Sequence, residues 1–85
     1  MNYTVIWTRR AESGLADAWL DAADREAVTD ASAELDAGLG DRPFRVGNPR
    51  GSTVRRFAIL PPLGITFDVI EDDKKVIVQT CWLVG

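Results

Sequence analysis

The fold of this chain is decided by residues 54–84, which read VRRFAILPPLGITFDVIEDDKKVIVQTCWLV. The stretch contains three runs rich in β-branched and aromatic residues, a composition typical of β-strands. These runs cover residues 54–60, 65–70 and 76–84. The gaps between them are too short for the crossover that a parallel pair of strands needs. The stretch therefore predicts a three-stranded antiparallel meander.

Alternation within the meander predicts two different faces. Phe67 and its apolar neighbours two residues away fall on one side of the middle strand, and Thr66 and Asp68 fall on the other. The last strand is apolar on both sides, so we expect it to be central in the sheet or covered on each face. Three strands alone are marginally stable, which means that another layer must pack on them.

The first half of the chain supplies that layer. Residues 2–7 form a strand candidate, and Thr8 is a suitable N-cap for a first helix. Helical stripes follow at Ala11, Leu15, Ala18, Trp19 and Ala22, and then at Val28, Ala31, Leu35 and Leu39. We expect a turn at residues 21–24 and a helix end at Gly38 or Gly40. The abundant alanines predict close contact between the two helices. The predicted fold is α+β, with an N-terminal strand and an αα-hairpin packed on a C-terminal three-stranded antiparallel meander.

Charge is distributed unevenly along the chain. Residues 11–38 carry eight acids and one arginine, whereas residues 42–56 carry five arginines and no acid, so the net charge of −3 hides a bipolar molecule. Residues 40–53 are predicted to form a loop. The candidate residues for binding a target or a phosphate are Arg45, Arg50, Arg55 and Arg56. The alternative is that the basic loop folds back onto the acidic helices as a set of salt bridges.

Several kinds of chemistry are excluded by composition. The chain has no histidine, and its single cysteine, Cys81, cannot form a thiolate zinc site. We predict no cofactor, no metal and no phosphate-binding glycine loop. Cys81 and the three tryptophans (Trp7, Trp19 and Trp82) fall on strand or helix stripes, so we expect them in the core. Catalytic residues stay unknown, with Arg55 and Arg56 as the candidates.

Length and patterning bound the organisation of the chain. Eighty-five residues predict one domain, residues 1–85. No apolar run is long enough to cross a membrane, and the first ten residues lack the order of a signal peptide. With one cysteine and no export signal, the cytoplasm is the expected compartment.

The order of the elements resembles the RelE/ParE superfamily of bacterial type II toxins. The resemblance covers residues 3–83 and is carried by YTVIWTRRAESGLADAW, by Asp41-Arg42-Pro43 and Val46-Gly47, by Val54-Arg55-Arg56, and by PPLGITFDVIEDDKKVIVQTCWLV. It implies a growth-regulating toxin that is neutralised by an antitoxin. The implied target is ribosome-bound mRNA in one branch of the superfamily and DNA gyrase in the other.

Individual residues follow the superfamily only in part. RelE-like nucleases resemble one another in basic residues on the meander and in a His, Tyr or Arg near the C-terminus. Arg55 and Arg56 match the first feature. Leu63-Gly64 stands where a Tyr-Arg pair is common, and Cys81-Trp82-Leu83 stands near the C-terminus, where the His, Tyr or Arg is common. The leading hypothesis is therefore a toxin that acts by binding. The alternatives are a ribosome-dependent mRNA endoribonuclease and a non-toxic interaction module, which could be a homodimer.

Overall fold

The computed structural model describes residues 2–46, 48–49 and 55–84. Its elements, in order, are β1 (Thr4–Trp7), α1 (Arg9–Asp21), α2 (Arg25–Asp41), a 3-10 helix (Pro43–Arg45), β2 (Asn48–Pro49), β3 (Arg55–Leu60), β4 (Leu63–Ile70) and β5 (Lys75–Leu83). The predicted α+β architecture is confirmed. Neither α-helix in the described part of the chain is long and apolar enough to cross a membrane.

The strands form one five-stranded sheet in the order β1-β5-β4-β3-β2. The meander β3-β4-β5 is antiparallel, as predicted, and β2 adds to it antiparallel to β3. β1 lies parallel to β5, with Val5 opposite Val76. β5 therefore has a neighbouring strand on each side, so it is an interior strand, as expected, while β4 is the middle strand of the sheet.

Helix α1 begins at its predicted cap, Thr8, and α2 begins at a cap inside the predicted turn, Asp24. The Thr8 hydroxyl accepts a hydrogen bond from the Ala11 N–H at 3.1 Å, and the Asp24 carboxylate accepts one from the Ala27 N–H at 3.1 Å. Thr8 also anchors α1 to the sheet, because its own N–H donates to the Val78 carbonyl at 3.1 Å. The start of α1 is thus fixed to β5.

The core lies between the helices and one face of the sheet. On the sheet side, the largest buried side chain is Phe67, which is fully inaccessible to solvent. The helices contribute the stripe that the sequence predicted, with Ala11, Ala18, Val28, Ala31, Leu35 and Leu39 all buried. Burial of this apolar surface is the main term that stabilises so small a domain.

Helix α1 lies almost against the backbone of β5. A Cβ atom placed on Gly14 would be 2.1 Å from the Cys81 carbonyl oxygen. The sequence predicted that the small residues of α1 allow close contact between the two helices. In the structure they mainly allow this approach of α1 to β5. Only glycine fits at position 14.

Two boundaries differ from the sequence expectation. Helix α2 passes through Gly38 and Gly40 and ends at Asp41. It continues because its last carbonyls have partners: the Tyr3 N–H donates to the Gly40 oxygen at 2.8 Å, and the Arg42 N–H donates to the Gly38 oxygen at 2.7 Å. The predicted loop at residues 40–53 was wrong in part, since its described residues include the 3-10 helix and β2.

The predicted burial of the tryptophans was also wrong in part. Trp19 is 41% exposed and Trp82 is 36% exposed. Trp7 is half-buried, and its indole N–H donates to the Asp36 carboxylate at 2.9 Å. Because α1 packs on β5 through alanine and glycine, Trp19 at the side of that narrow stripe stays outside the core. Trp82 is exposed because it lies on the sheet face that the helices do not cover.

We expect Gly14→Ala to destabilise the protein by about 1–3 kcal/mol, because the added methyl group overlaps a backbone carbonyl that cannot move away. Gly40→Ala is the matched control. Its Cβ would lie 3.6 Å from the nearest atom, at ordinary contact distance within the same kind of helix. We expect that variant to gain about 0.5 kcal/mol from helix propensity. Urea unfolding of both variants measures the difference, and equal free energies of unfolding would contradict this account of α1 packing.

Candidate functional site

The two faces of the sheet are chemically distinct. The helices cover one face. The other, which we call the open face, carries Ile6, Arg55, Phe57, Ile59, Gly64, Thr66, Asp68, Ile77, Gln79, Thr80 and Trp82. Ile6, Ile59 and Trp82 are exposed apolar residues. An apolar surface left uncovered in this way is typical of a binding surface.

A polar cluster occupies the centre of the open face. Arg55 and Asp68 are directly opposite each other on β3 and β4. The Arg55 guanidinium donates through Nε to Asp68 Oδ1 and through Nη2 to Asp68 Oδ2, the latter at 3.3 Å. This bond raises the pKa of Arg55 above its ordinary value. The Gln79 amide donates to the same Oδ2 at 3.1 Å.

Gln79 reaches Asp68 because β5 contains a bulge. Thr80 pairs with Thr66 and Val78 pairs with Phe67, so Gln79 is the extra residue between them. Its carbonyl accepts a hydrogen bond from the Thr8 hydroxyl at 3.2 Å, while its side chain reaches across the open face. The bulge therefore connects the start of α1 to the polar cluster.

Trp82 lies flat across the open face over Gly64. A Cβ atom on Gly64 would be 2.4 Å from Cε2 of the Trp82 indole. The Thr66 and Thr80 hydroxyls, one pair further along the strands, hydrogen-bond to each other. Trp82 thus presents an aromatic plane beside a neutral polar strip.

A second candidate surface is formed where the 3-10 helix meets the start of β1. We call Tyr3, Arg42, Phe44, Arg45, Arg56 and Lys74 the basic edge. Phe44 is 50% exposed, and the Arg56 guanidinium lies 5.8 Å from its ring centroid. Arg56 Nη2 also donates to the Phe44 carbonyl at 3.0 Å. Beside Phe44 is a cavity of about 260 Å³, lined by residues that include Arg42, Arg45 and Lys74.

Tyr3, Glu71 and Lys74 form a hydrogen-bonded group at the basic edge. The Tyr3 hydroxyl donates to Glu71 Oε2 at 2.6 Å, and the Lys74 ammonium pairs with Glu71 Oε1. The bond to Lys74, followed by the bond from Tyr3, lowers the pKa of Glu71. The bond to Glu71 raises the pKa values of Tyr3 and Lys74. Tyr3 is therefore a weaker acid than an ordinary tyrosine.

The structure places the predicted site residues in two locations. Arg55 and Arg56 are neighbours on β3, so they project to opposite faces, and a single phosphate on one face would reach only one of them. Arg45 and Arg56 both lie at the basic edge, next to Phe44. Arg50 lies outside the described residues. Arg42 pairs with its sequence neighbour Asp41 at the end of α2. Because Asp41 lies outside the acidic residues 11–38, this pair does not represent the alternative of a basic loop folded back onto the acidic helices.

The partners of these arginines could not be read from the sequence. Asp68 was assigned to the polar side of its strand, but its pairing with Arg55 depends on strand register. A two-residue turn that places Leu60 opposite Leu63 sets that register. Phe44 carried no periodic signal because it sits in a single 3-10 turn.

The remaining candidate groups are inert. Cys81 is buried, which confirms the core prediction, and burial raises the pKa of its thiol to about 11. In the described ranges, no three metal-ligating side chains come together.

No protein-family model and no curated protein sequence matches the chain. Solved structures do match it. A chain of the toxin–antitoxin complex RelBE2 from Mycobacterium tuberculosis aligns with a TM-score of 0.79 at 20% identity, covering 98% of this chain and 99% of that chain. A chain of the ParDE system from P. aeruginosa aligns with a TM-score of 0.72 at 18% identity, covering 98% of this chain and 97% of that chain. A chain of the archaeal RelE–RelB complex from Pyrococcus horikoshii aligns with a TM-score of 0.73 at 16% identity, covering 100% of this chain and 98% of that chain.

These similarities define the class of fold. The chain has the fold seen in these RelE and ParE toxin–antitoxin structures along nearly its whole length, which confirms the fold that the sequence resemblance implies. Fold alone does not assign an activity, so the function must be argued from the open face and the basic edge.

We expect Glu71→Gln to weaken the attachment of β1 to the β4–β5 turn. The folded-state pKa of Glu71 lies below its ordinary 4.5, so the stability that the carboxylate contributes is fully present above pH 4.5 and is lost as the pH falls through the folded-state value. Wild type should therefore exceed the variant in unfolding free energy at pH 7, and this difference should shrink in acid.

Asp73→Asn is the control, because it removes the same charge from the same exposed turn. Chemical denaturation between pH 3 and pH 7 compares the variants. A difference between wild type and Glu71→Gln that does not change with pH would contradict the role assigned to the carboxylate.

Proposed function

We propose that this protein is the toxin of a bacterial type II toxin–antitoxin pair, and that it acts by binding its target. The observation that carries the proposal is the basic edge. On a toxin fold whose helical hairpin is strongly acidic, Arg45 and Arg56 come together around the half-exposed Phe44. Arginines beside an exposed aromatic ring suit an acidic or phosphate-bearing partner.

The proposed target site is the basic edge, where Arg45 and Arg56 are the candidate arginines. Arg50, a further candidate from the sequence, lies outside the described residues. The remaining candidate, Arg55, lies on the open face, where it is paired with Asp68. A guanidinium holds a phosphate or carboxylate through paired N–H donors and keeps its charge at neutral pH. DNA gyrase and ribosome-bound mRNA are the two targets that the superfamily resemblance implies, and either presents anionic groups to such a site.

Binding is favoured over cleavage by the state of Tyr3 and Cys81, two of the groups that could carry a proton. The Tyr3 hydroxyl is engaged by Glu71, and its pKa is raised. Cys81 is buried, and its pKa is also raised. Proton transfer is most effective when the pKa of the carrier lies near the working pH, which neither group meets.

The proposed antitoxin site is the outer groove of the helical hairpin. Trp19 and Leu20 are 41% and 59% exposed there. Leu15 and Val28 line the same groove, which has a volume of about 450 Å³. Since residues 11–38 carry eight acids and one arginine, the fitting antitoxin segment combines apolar residues with basic ones. The structures aligned above include toxins bound to antitoxins, which supports a partner of this kind.

Induced expression in a bacterial host should arrest growth. We expect Arg45→Ala/Arg56→Ala to relieve the arrest, because it removes the two arginines next to Phe44. Arg9→Ala/Arg10→Ala is the matched control, since it removes two exposed arginines from the start of α1 and should leave the arrest intact. Growth curves with immunoblots for protein level provide the measurement.

Normal growth at high wild-type expression would exclude the toxin role and leave the interaction module. Mapping of transcript 5′ ends in the same cultures separates the enzyme alternative. New ends after induction would identify an endoribonuclease, and unchanged ends are expected for a toxin that only binds.

A second prediction concerns the antitoxin. We expect co-expression of the cognate antitoxin to restore growth. Leu20→Glu should prevent this rescue, because it places a charge in the apolar groove. Ala37→Glu adds the same charge at an exposed position of α2 outside the groove lining and should leave rescue unchanged. Equal rescue of both variants would remove the groove from the proposal.

A further inference from the structure

We propose that Asp68 determines the specificity of the open face by withholding Arg55 from phosphate. The pairing is built into the sheet, because the register of β3 and β4 places the two residues directly opposite each other. Arginine on this strand is the residue that would otherwise make the open face a phosphate site. Asp68 is thus a positioning residue that acts through Arg55.

Three observations distinguish this pair from an ordinary surface ion pair. The Asp68 side chain is only 16% exposed, whereas the Arg55 side chain is 46% exposed. Both carboxylate oxygens are engaged by the guanidinium, in the two-pronged geometry that gives strong charge-assisted bonds. The Gln79 amide fixes the carboxylate from the other side at 3.1 Å. The carboxylate is therefore held in place before any ligand arrives.

The surroundings of the Arg55–Asp68 pair also disfavour the binding of phosphate. The nearest described residues on this face are neutral, and they include the Thr66–Thr80 hydroxyl pair. Among the described residues of this face, Lys75 is also charged. The register places it opposite Ile70, near the end of the strands. A phosphate that approached Arg55 would meet a guanidinium already bonded to a fixed carboxylate, and the negative charge of Asp68 would repel it. The open face therefore accepts neutral, apolar groups and rejects phosphate.

This inference does not depend on the toxin role, because it concerns the binding of an anion by the purified protein. The probe is inorganic phosphate, and the readout is the side-chain Nε–Hε resonance of Arg55 in an NMR titration. The resonance is assigned by its loss in Arg55→Lys. Because the signal belongs to Arg55 alone, phosphate bound at the basic edge does not enter the measurement.

In Asp68→Asn we expect the Arg55 resonance to shift with phosphate at a midpoint about tenfold lower than in wild type, since the guanidinium no longer faces a competing carboxylate and gains a charge-assisted bond to the anion. Asp72→Asn is the matched control, because it removes one negative charge from the exposed β4–β5 turn and should titrate like wild type. Asp68→Thr provides a second neutral variant if Asp68→Asn fails to fold.

Two results would overturn the inference. One is a wild-type Arg55 resonance that shifts at the same phosphate concentration as in Asp68→Asn. The other is an equal gain in Asp68→Asn and Asp72→Asn, which would reduce the effect of Asp68 to net charge. Growth arrest in the host can be present or absent with either outcome, so failure here is distinct from failure of the proposed function.

Discussion

The close approach of helix α1 to strand β5 is the constraint on which the rest of the structure depends. Gly14 lies against the Cys81 carbonyl, and Thr8 bonds to the same strand at Val78 and Gln79. These contacts fix the hairpin on one face of the sheet and leave the opposite face uncovered. They also support the bulge that directs Gln79 towards Asp68. The layer that stabilises the domain and the geometry of the open face thus share one origin.

The alternation of β3 separates two chemistries that look continuous in the sequence. Arg55 and Arg56 are consecutive, yet one faces Asp68 on the open face and the other faces Phe44 on the helix side. The period of two in a strand imposes this division on any pair of neighbours. An uninterrupted basic segment therefore becomes one arginine held by a carboxylate and another held beside an aromatic ring.

Much of the fold could be predicted because its signals are local. The caps at Thr8 and Asp24, the apolar stripe of α2 and the order of the meander all follow from residues within a few positions of one another. Non-local contacts could not be predicted in this way. The parallel pairing of β1 with β5 and the end of α2 against Tyr3 join distant parts of the chain. The candidate site was less accessible still, since the role of Asp68 depends on a register that a single turn sets.

The position of β1 has a consequence for how the molecule folds. β1 pairs with β5 across about seventy intervening residues, whereas the meander pairs residues close together in sequence. Closing a long segment loses more chain entropy than closing a short one, and pairings between distant residues form slowly. We therefore expect the meander to belong to the folding nucleus and β1 to join the sheet late. Substitutions in β1 would then accelerate unfolding while leaving the refolding rate almost unchanged, and a slowed refolding rate would contradict this order of assembly.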